Sequence, residues 1–81
     1  MSVTVYTSPA CMQCEATKRR MKKRGIHYRP VDLSQDPEAL EHVKSLGFNQ
    51  VPVIVAGEES WSGYRPDRID ALSAKPALAA A

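Results

Sequence analysis

The sequence has only two cysteines, and both lie in Cys11-Met12-Gln13-Cys14. A secreted disulfide framework needs more cysteines, spread along the chain, and is excluded. A ring closed over Cys11 and Cys14 spans almost no loop, so it cannot staple a small fold either. No apolar run approaches the ~20 residues that a membrane span needs. No basic stretch with an apolar core precedes the first strand-like run, so a secretory signal is not expected and the expected compartment is the cytoplasm. In that reducing setting a reactive thiol pair stays reduced. The formal net charge of +2 is too weak to imply nucleic acid. Repeats are missing, and the only low-complexity stretch is the alanine-rich end. Eighty-one residues with 43% hydrophobic content make one modest globular domain.

What is present reads in order. Val3 to Tyr6 is a β-branched strand. Thr7-Ser8-Pro9-Ala10 turns into a helix over Met12 to about Arg24, with Cys11 at its start and Cys14, Thr17 and Met21 on its inner stripe. Gly25 follows as a helix stop. Tyr28 to Leu33 is a second strand, kept to an edge by Pro30. Strand, helix and strand in this length make a right-handed parallel unit. Asp36 caps a second helix with Pro37 at its first position, Leu40, Val43 and Leu46 form its apolar stripe, and Gly47 with Phe48 closes it. Val51 to Ala56 is a central strand, and Glu59 to Trp61 returns antiparallel after Gly57-Glu58. Pro66 opens a third helix to about Ser73, with Ile69 and Leu72 inward. The expected domain is residues 1–74, with a frayed tail over residues 75–81.

Two thiols where a strand meets a helix point to dithiol–disulfide exchange. A helix N-terminus offers partial positive charge and free N–H groups, which favour a thiolate. Cys11 would be the exposed nucleophile, and Cys14 the resolving thiol one turn on. The competing readings are two buried structural cysteines, half a zinc site, or a cluster bridged between two copies. Zinc lacks two further ligands, because His27 and His42 have no matching spacing.

The order β-α-β-α-β-β-α, with Cys-x-x-Cys opening the first helix and Val51-Pro52 opening the third strand, resembles the thioredoxin fold in its short, glutaredoxin-sized form. That implies a four-stranded mixed sheet flanked by three helices, and a cis Val51-Pro52 bond that leaves Val51 backbone groups free for an extended substrate. Cys11-Met12-Gln13-Cys14 together with Trp61-Ser62-Gly63-Tyr64-Arg65-Pro66-Asp67 closely resembles the NrdH-redoxins. The resemblance implies electron donation to a class Ib ribonucleotide reductase, with NADPH-dependent thioredoxin reductase restoring the dithiol. It makes Cys11 and Cys14 the catalytic pair. It places partner contacts at Met12, Gln13, Val51, Pro52, Trp61, Ser62, Gly63, Tyr64 and Arg65. No bound cofactor or metal is expected beyond the disulfide itself, and a monomer in cell redox homeostasis is the expected setting. Tyr64 stands where Phe is common, and its hydroxyl is expected to matter little.

The alternatives are a glutathione-dependent glutaredoxin and a non-catalytic thioredoxin-fold binding module. Met12-Gln13 replaces the Pro-Tyr of glutathione users, and Ser62-Gly63 stands where Gly-Gly would be, so glutathione use is expected to be weak. Met12 offers a soft apolar contact. Gln13 adds no charge, which leaves the helix N-terminus to stabilise the thiolate. The run Lys18-Arg19-Arg20-Met21-Lys22-Lys23-Arg24 reads first as a solvated helix face, and second as a patch steering acidic partners. It has no interleaved aromatics to stack bases. Glu15 is a favourable first-turn carboxylate, and His27 and His42 are expected to be exposed.

Overall fold

Alternation along β1 (Val3–Thr7) sends Val3 and Val5 to one face of a sheet and Tyr6 to the other, as a period of two requires. The computed structural model describes residues 3–73. The expected frayed tail and the expected domain boundary at residue 74 lie outside the described residues. After β1 come α1 (Met12–Lys23), β2 (Arg29–Asp32), α2 (Pro37–Ser45), β3 (Val53–Ala56), β4 (Glu59–Ser62) and α3 (Pro66–Ser73). The sheet order is β2-β1-β3-β4. β1 runs parallel to β2 and antiparallel to β3, and β4 is antiparallel to β3. This is a thioredoxin-like fold.

Two apolar clusters cover the two faces. Val3, Val5, Met21, Ile26, Ile54, Trp61, Ile69 and Leu72 unite the sheet with α1 and α3. Leu33, Val43 and Val53, flanked by Tyr6, Ala39 and Phe48, unite it with α2. The inner stripe of α1 is Cys14, Thr17 and Met21, as its spacing predicts. β2 is an edge strand, which is where Pro30 belongs.

Both early helices stop in the same way. The Gly47 N–H donates to the Lys44 carbonyl and the Phe48 N–H to the Val43 carbonyl, the paired bonds of a Schellman cap. Gly47 has φ +91°, where a side chain is strained. Gly25 and Ile26 repeat the pattern on Lys22 and Met21. At the other end of α2, Asp36 accepts the Ala39 N–H at 3.1 Å.

Several expectations are corrected. The stripe of α2 is Ala39 and Val43, and Leu40 and Leu46 are 37% and 43% exposed. The helix docks along an i, i+4 pair, which turns Leu40 to its flank, and Leu46 is the C-cap, past the last helical residue. β2 is shorter than Tyr28 to Leu33, although the Leu33 N–H still donates to the Thr7 carbonyl. β3 begins at Val53 rather than Val51, because Pro52 has no N–H for the ladder. α1 ends at Lys23, with Arg24 as its cap, and β4 extends to Ser62. His42 is exposed as expected, and its ring lies 6.2 Å from that of Tyr6.

Candidate functional site

Cys11 is the N-cap of α1, with extended backbone at φ −109° and ψ 107°. Its Sγ accepts the Cys14 N–H at 3.1 Å, so sulfur takes the place of the usual capping oxygen. The Cys11 carbonyl accepts the Glu15 N–H, the first bond of the helix. Cys14 lies one turn on, fully buried, while Cys11 is half-buried. The two are joined as a disulfide, with Cα atoms 5.2 Å apart. The turn before them is tight: Ala10 adopts φ +56°, a region that alanine seldom enters. Among the described residues no group of three or more His, Cys, Asp or Glu side chains could hold a metal.

The expected partner residues divide into an outer and an inner set. Met12 stands 88% exposed at the rim. The Val51–Pro52 peptide is cis, Pro52 is buried and Val51 lies outside the β3 ladder. The Pro52 carbonyl accepts the Gly63 N–H at 2.8 Å. Gln13, between the two cysteines, accepts the Tyr64 N–H through Oε1 at 3.2 Å. Gly63 has φ +85°, and a Cβ there would lie 3.5 Å from Gln13 Oε1, so strain rather than crowding argues for glycine. Cys-x-x-Cys, Val51-Pro52 and the 61–67 loop, distant in sequence, are therefore joined by one side-chain-to-main-chain bond from the loop to Gln13 and one main-chain bond from the loop to Pro52.

Trp61 is in the core, 5% exposed, with the Arg68 guanidinium 5.3 Å from its ring centroid. Ser62 and Tyr64 are half-buried, and Tyr64 packs against the α1–α3 cluster. Arg65 is exposed; its guanidinium bonds Asp67 at 3.4 Å, and both the Arg68 and Ile69 N–H groups donate to its carbonyl at 3.1 Å. The bond from Arg65 holds the Asp67 carboxyl below its ordinary value.

The basic run is not one uniform solvated face. Arg20 and Arg24 both fork onto Asp70 of α3, at 3.0 and 2.7 Å and at 2.9 and 3.3 Å. These bonds, that of Arg20 foremost, hold the Asp70 carboxyl below its ordinary value. Lys18 pairs with Glu15 at 3.1 Å. The i, i+4 spacing of Arg20 and Arg24 was a usable signal, but nothing in the chain marked Asp70 as their partner.

Comparison with known proteins follows the same lines. The family model described as Glutaredoxin matches residues 3–61. The glutaredoxin-like protein NrdH of Escherichia coli strain K12 is 46% identical over 81 residues, covering all of both chains. The protein of that name from Lactococcus lactis subsp. cremoris is 34% identical over 71 residues, or 88% of this chain and 99% of the other. A solved structure of NrdH-redoxin from Escherichia coli, described as a glutaredoxin-like protein with a thioredoxin-like activity profile, superposes with TM-score 0.86 at 47% identity, over 89% of this chain and 95% of that one. Glutaredoxin from Archaeoglobus fulgidus shares the fold, with TM-score 0.73 at 22% identity over 88% and 84% of the two chains.

Proposed function

The chain belongs to the glutaredoxin family as a glutaredoxin-like, NrdH-type thiol–disulfide oxidoreductase, and on that premise we propose that it donates electrons to a class Ib ribonucleotide reductase and is itself reduced by thioredoxin reductase. The observation that carries the chemistry is the place of Cys11 Sγ at the start of α1, under the Cys14 N–H at 3.1 Å. In the reduced protein that donor and the helix dipole favour the Cys11 thiolate.

The Cys11 thiolate attacks one sulfur of the partner disulfide. A mixed disulfide forms, and the partner's other sulfur leaves as a thiolate and takes up a proton. Cys14 loses its proton and attacks Cys11 Sγ, which releases the second partner sulfur. Two electrons pass to the partner, and the Cys11–Cys14 disulfide found here remains. The reductase returns two electrons by the reverse exchange. Buried Cys14 is shielded from outside disulfides, which suits a resolving role. No further cofactor takes part. Val51, Pro52, Met12 and the 61–67 loop frame the approach of the partner, Trp61 by supporting the loop from beneath. The setting is the cytoplasm, with the protein acting as a monomer on protein partners and not on nucleic acid or membranes.

The test supplies NADPH with thioredoxin reductase, or glutathione with glutathione reductase, and follows reduction of the ribonucleotide reductase. Turnover is expected with the first system, and Cys11→Ser abolishes it. Cys14→Ser stalls at the mixed disulfide, detectable by mass. Turnover with glutathione alone sinks the proposed reductase, and activity in Cys11→Ser sinks the assigned nucleophile.

A further inference from the structure

On the outward side of α1, opposite buried Cys14, Thr17 and Met21, the residues Met12, Ala16, Arg19 and Lys23 follow one another at spacings of four, three and four. Those spacings place them on a single stripe. An open hollow of about 610 Å³ lies at its first end, lined by Cys11, Met12, Glu15, Ala16 and Arg19 among others. A second, of about 230 Å³, shares Ala16 and Arg19 with it and ends at Lys23 and Tyr64. The stripe is apolar beside the dithiol and cationic beyond it.

Ion pairing within the fold sorts the six cations of the run. Arg20 and Arg24 share Asp70, which offsets one of their two charges and holds both side chains against α3, and Lys18 pairs with Glu15. Arg19, Lys22 and Lys23 have no ion-pair partner among the described residues. Two of these three stand on the stripe that leads to Cys11. Glu15, at the dithiol end, is already paired with Lys18, so an acidic group there finds no free cation, whereas one at the far end meets Arg19 and Lys23.

We propose that this stripe is a docking track for an acidic, disulfide-bearing protein segment, with an apolar side chain over Met12 and Ala16 and carboxylates at Arg19 and Lys23. The proposal rests on Cys11 being the nucleophile. Arg19 and Lys23 lie about 12 and 18 Å along the helix from Cys11. An extended segment covers that distance in about four to six residues. The acidic residues of the partner therefore lie that far from the attacked cysteine. A nucleic-acid strand would offer the charge but no disulfide, and the apolar end of the track has nothing to give it.

Two synthetic peptides with the same internal disulfide test the track, one with Asp-Glu and one with Asn-Gln at four to six residues from the cysteine. The full-length reduced protein is mixed with each, and second-order rates are compared at low and high salt. The acidic peptide is expected to react about two- to tenfold faster at low salt, with the preference fading as salt screens it. Arg19→Glu combined with Lys23→Glu is expected to invert the ratio, while Lys44→Glu on α2 keeps it. Equal rates for the two peptides, or a preference that survives the double reversal, overturn the track and leave the dithiol chemistry standing. Failure to reduce either peptide overturns the dithiol reading and the track with it. A single-stranded oligonucleotide that binds this face more tightly than the acidic peptide and blocks its reduction would assign it to nucleic acid instead.

Discussion

Gln13 Oε1 accepts the Tyr64 N–H at 3.2 Å and so ties the first turn of α1 to a loop 51 residues away. The bond is neutral and exposed, so its net stabilisation is at most about 1 kcal/mol. Its larger consequence is local, because it holds the loop against the dithiol. Gln13→Ala is expected to leave global stability within about 1 kcal/mol and to speed exchange of the Tyr64 amide hydrogen by up to about fivefold. Nuclear magnetic resonance exchange rates measure this, and unchanged protection at Tyr64 would show that the bond holds nothing. Gln13 and the loop were each visible as motifs in the sequence. Their contact was not, since no local pattern sets which backbone donor a glutamine meets.

The elements owe their ends to short-range chemistry and their orientation to packing. The caps of α2, Asp36 at the front and Gly47-Phe48 at the back, were legible because each follows from the residue type. The inward face was not. Leu40, Val43 and Leu46 make a plausible stripe by spacing, yet Ala39 and Val43 are the residues set against the sheet. With only nine residues, several faces of α2 carry apolar side chains, and docking on Phe48 and Val53 selects among them. Val43 is 3% exposed, so Val43→Ala is expected to cost on the order of 1–3 kcal/mol. Leu40→Ala, although it removes the larger side chain, is expected to cost less than that. Urea midpoints at constant slope give both numbers, and a costlier Leu40 change would restore the spacing-based face.

Across the whole molecule, α1 and α3 lie on one face of the sheet and share Met21, Ile69 and Leu72 in one cluster. Arg20 and Arg24 hold Asp70 at the rim of that contact. The clamp makes stability depend on pH in a definite direction. Hydrogen bonds from Arg20 and then Arg24 lower the Asp70 carboxyl from its ordinary 3.8 in the folded protein. A carboxyl lowered by folding stabilises above its unfolded value, and the gain is lost as pH falls through the lower folded value. The melting temperature is expected to fall on acidification below about pH 4. Asp70→Asn should flatten that fall, leaving a remainder from Asp67 and Asp32, which are lowered in the same sense. Thermal melts over a pH series decide it, and an equally steep fall in Asp70→Asn would show that the clamp does not contribute.

The sequence by itself determined the chemistry and the outline of Cys11-Met12-Gln13-Cys14. Two thiols at a strand–helix junction, a proline at residue 52 and helix caps of definite residue types are local signals, and local signals are carried by neighbours in the chain. Only the tertiary structure decided what surrounds that dithiol. It decided that Gln13 meets Tyr64, that Pro52 meets Gly63, that Trp61 is inside, and that Asp70 occupies two of the run's cations and leaves Arg19 and Lys23 free among the described residues. The physical reason is distance along the chain. Which groups meet across some ten to fifty residues depends on how whole faces pack, and the pairing of charges and hydrogen bonds follows that packing.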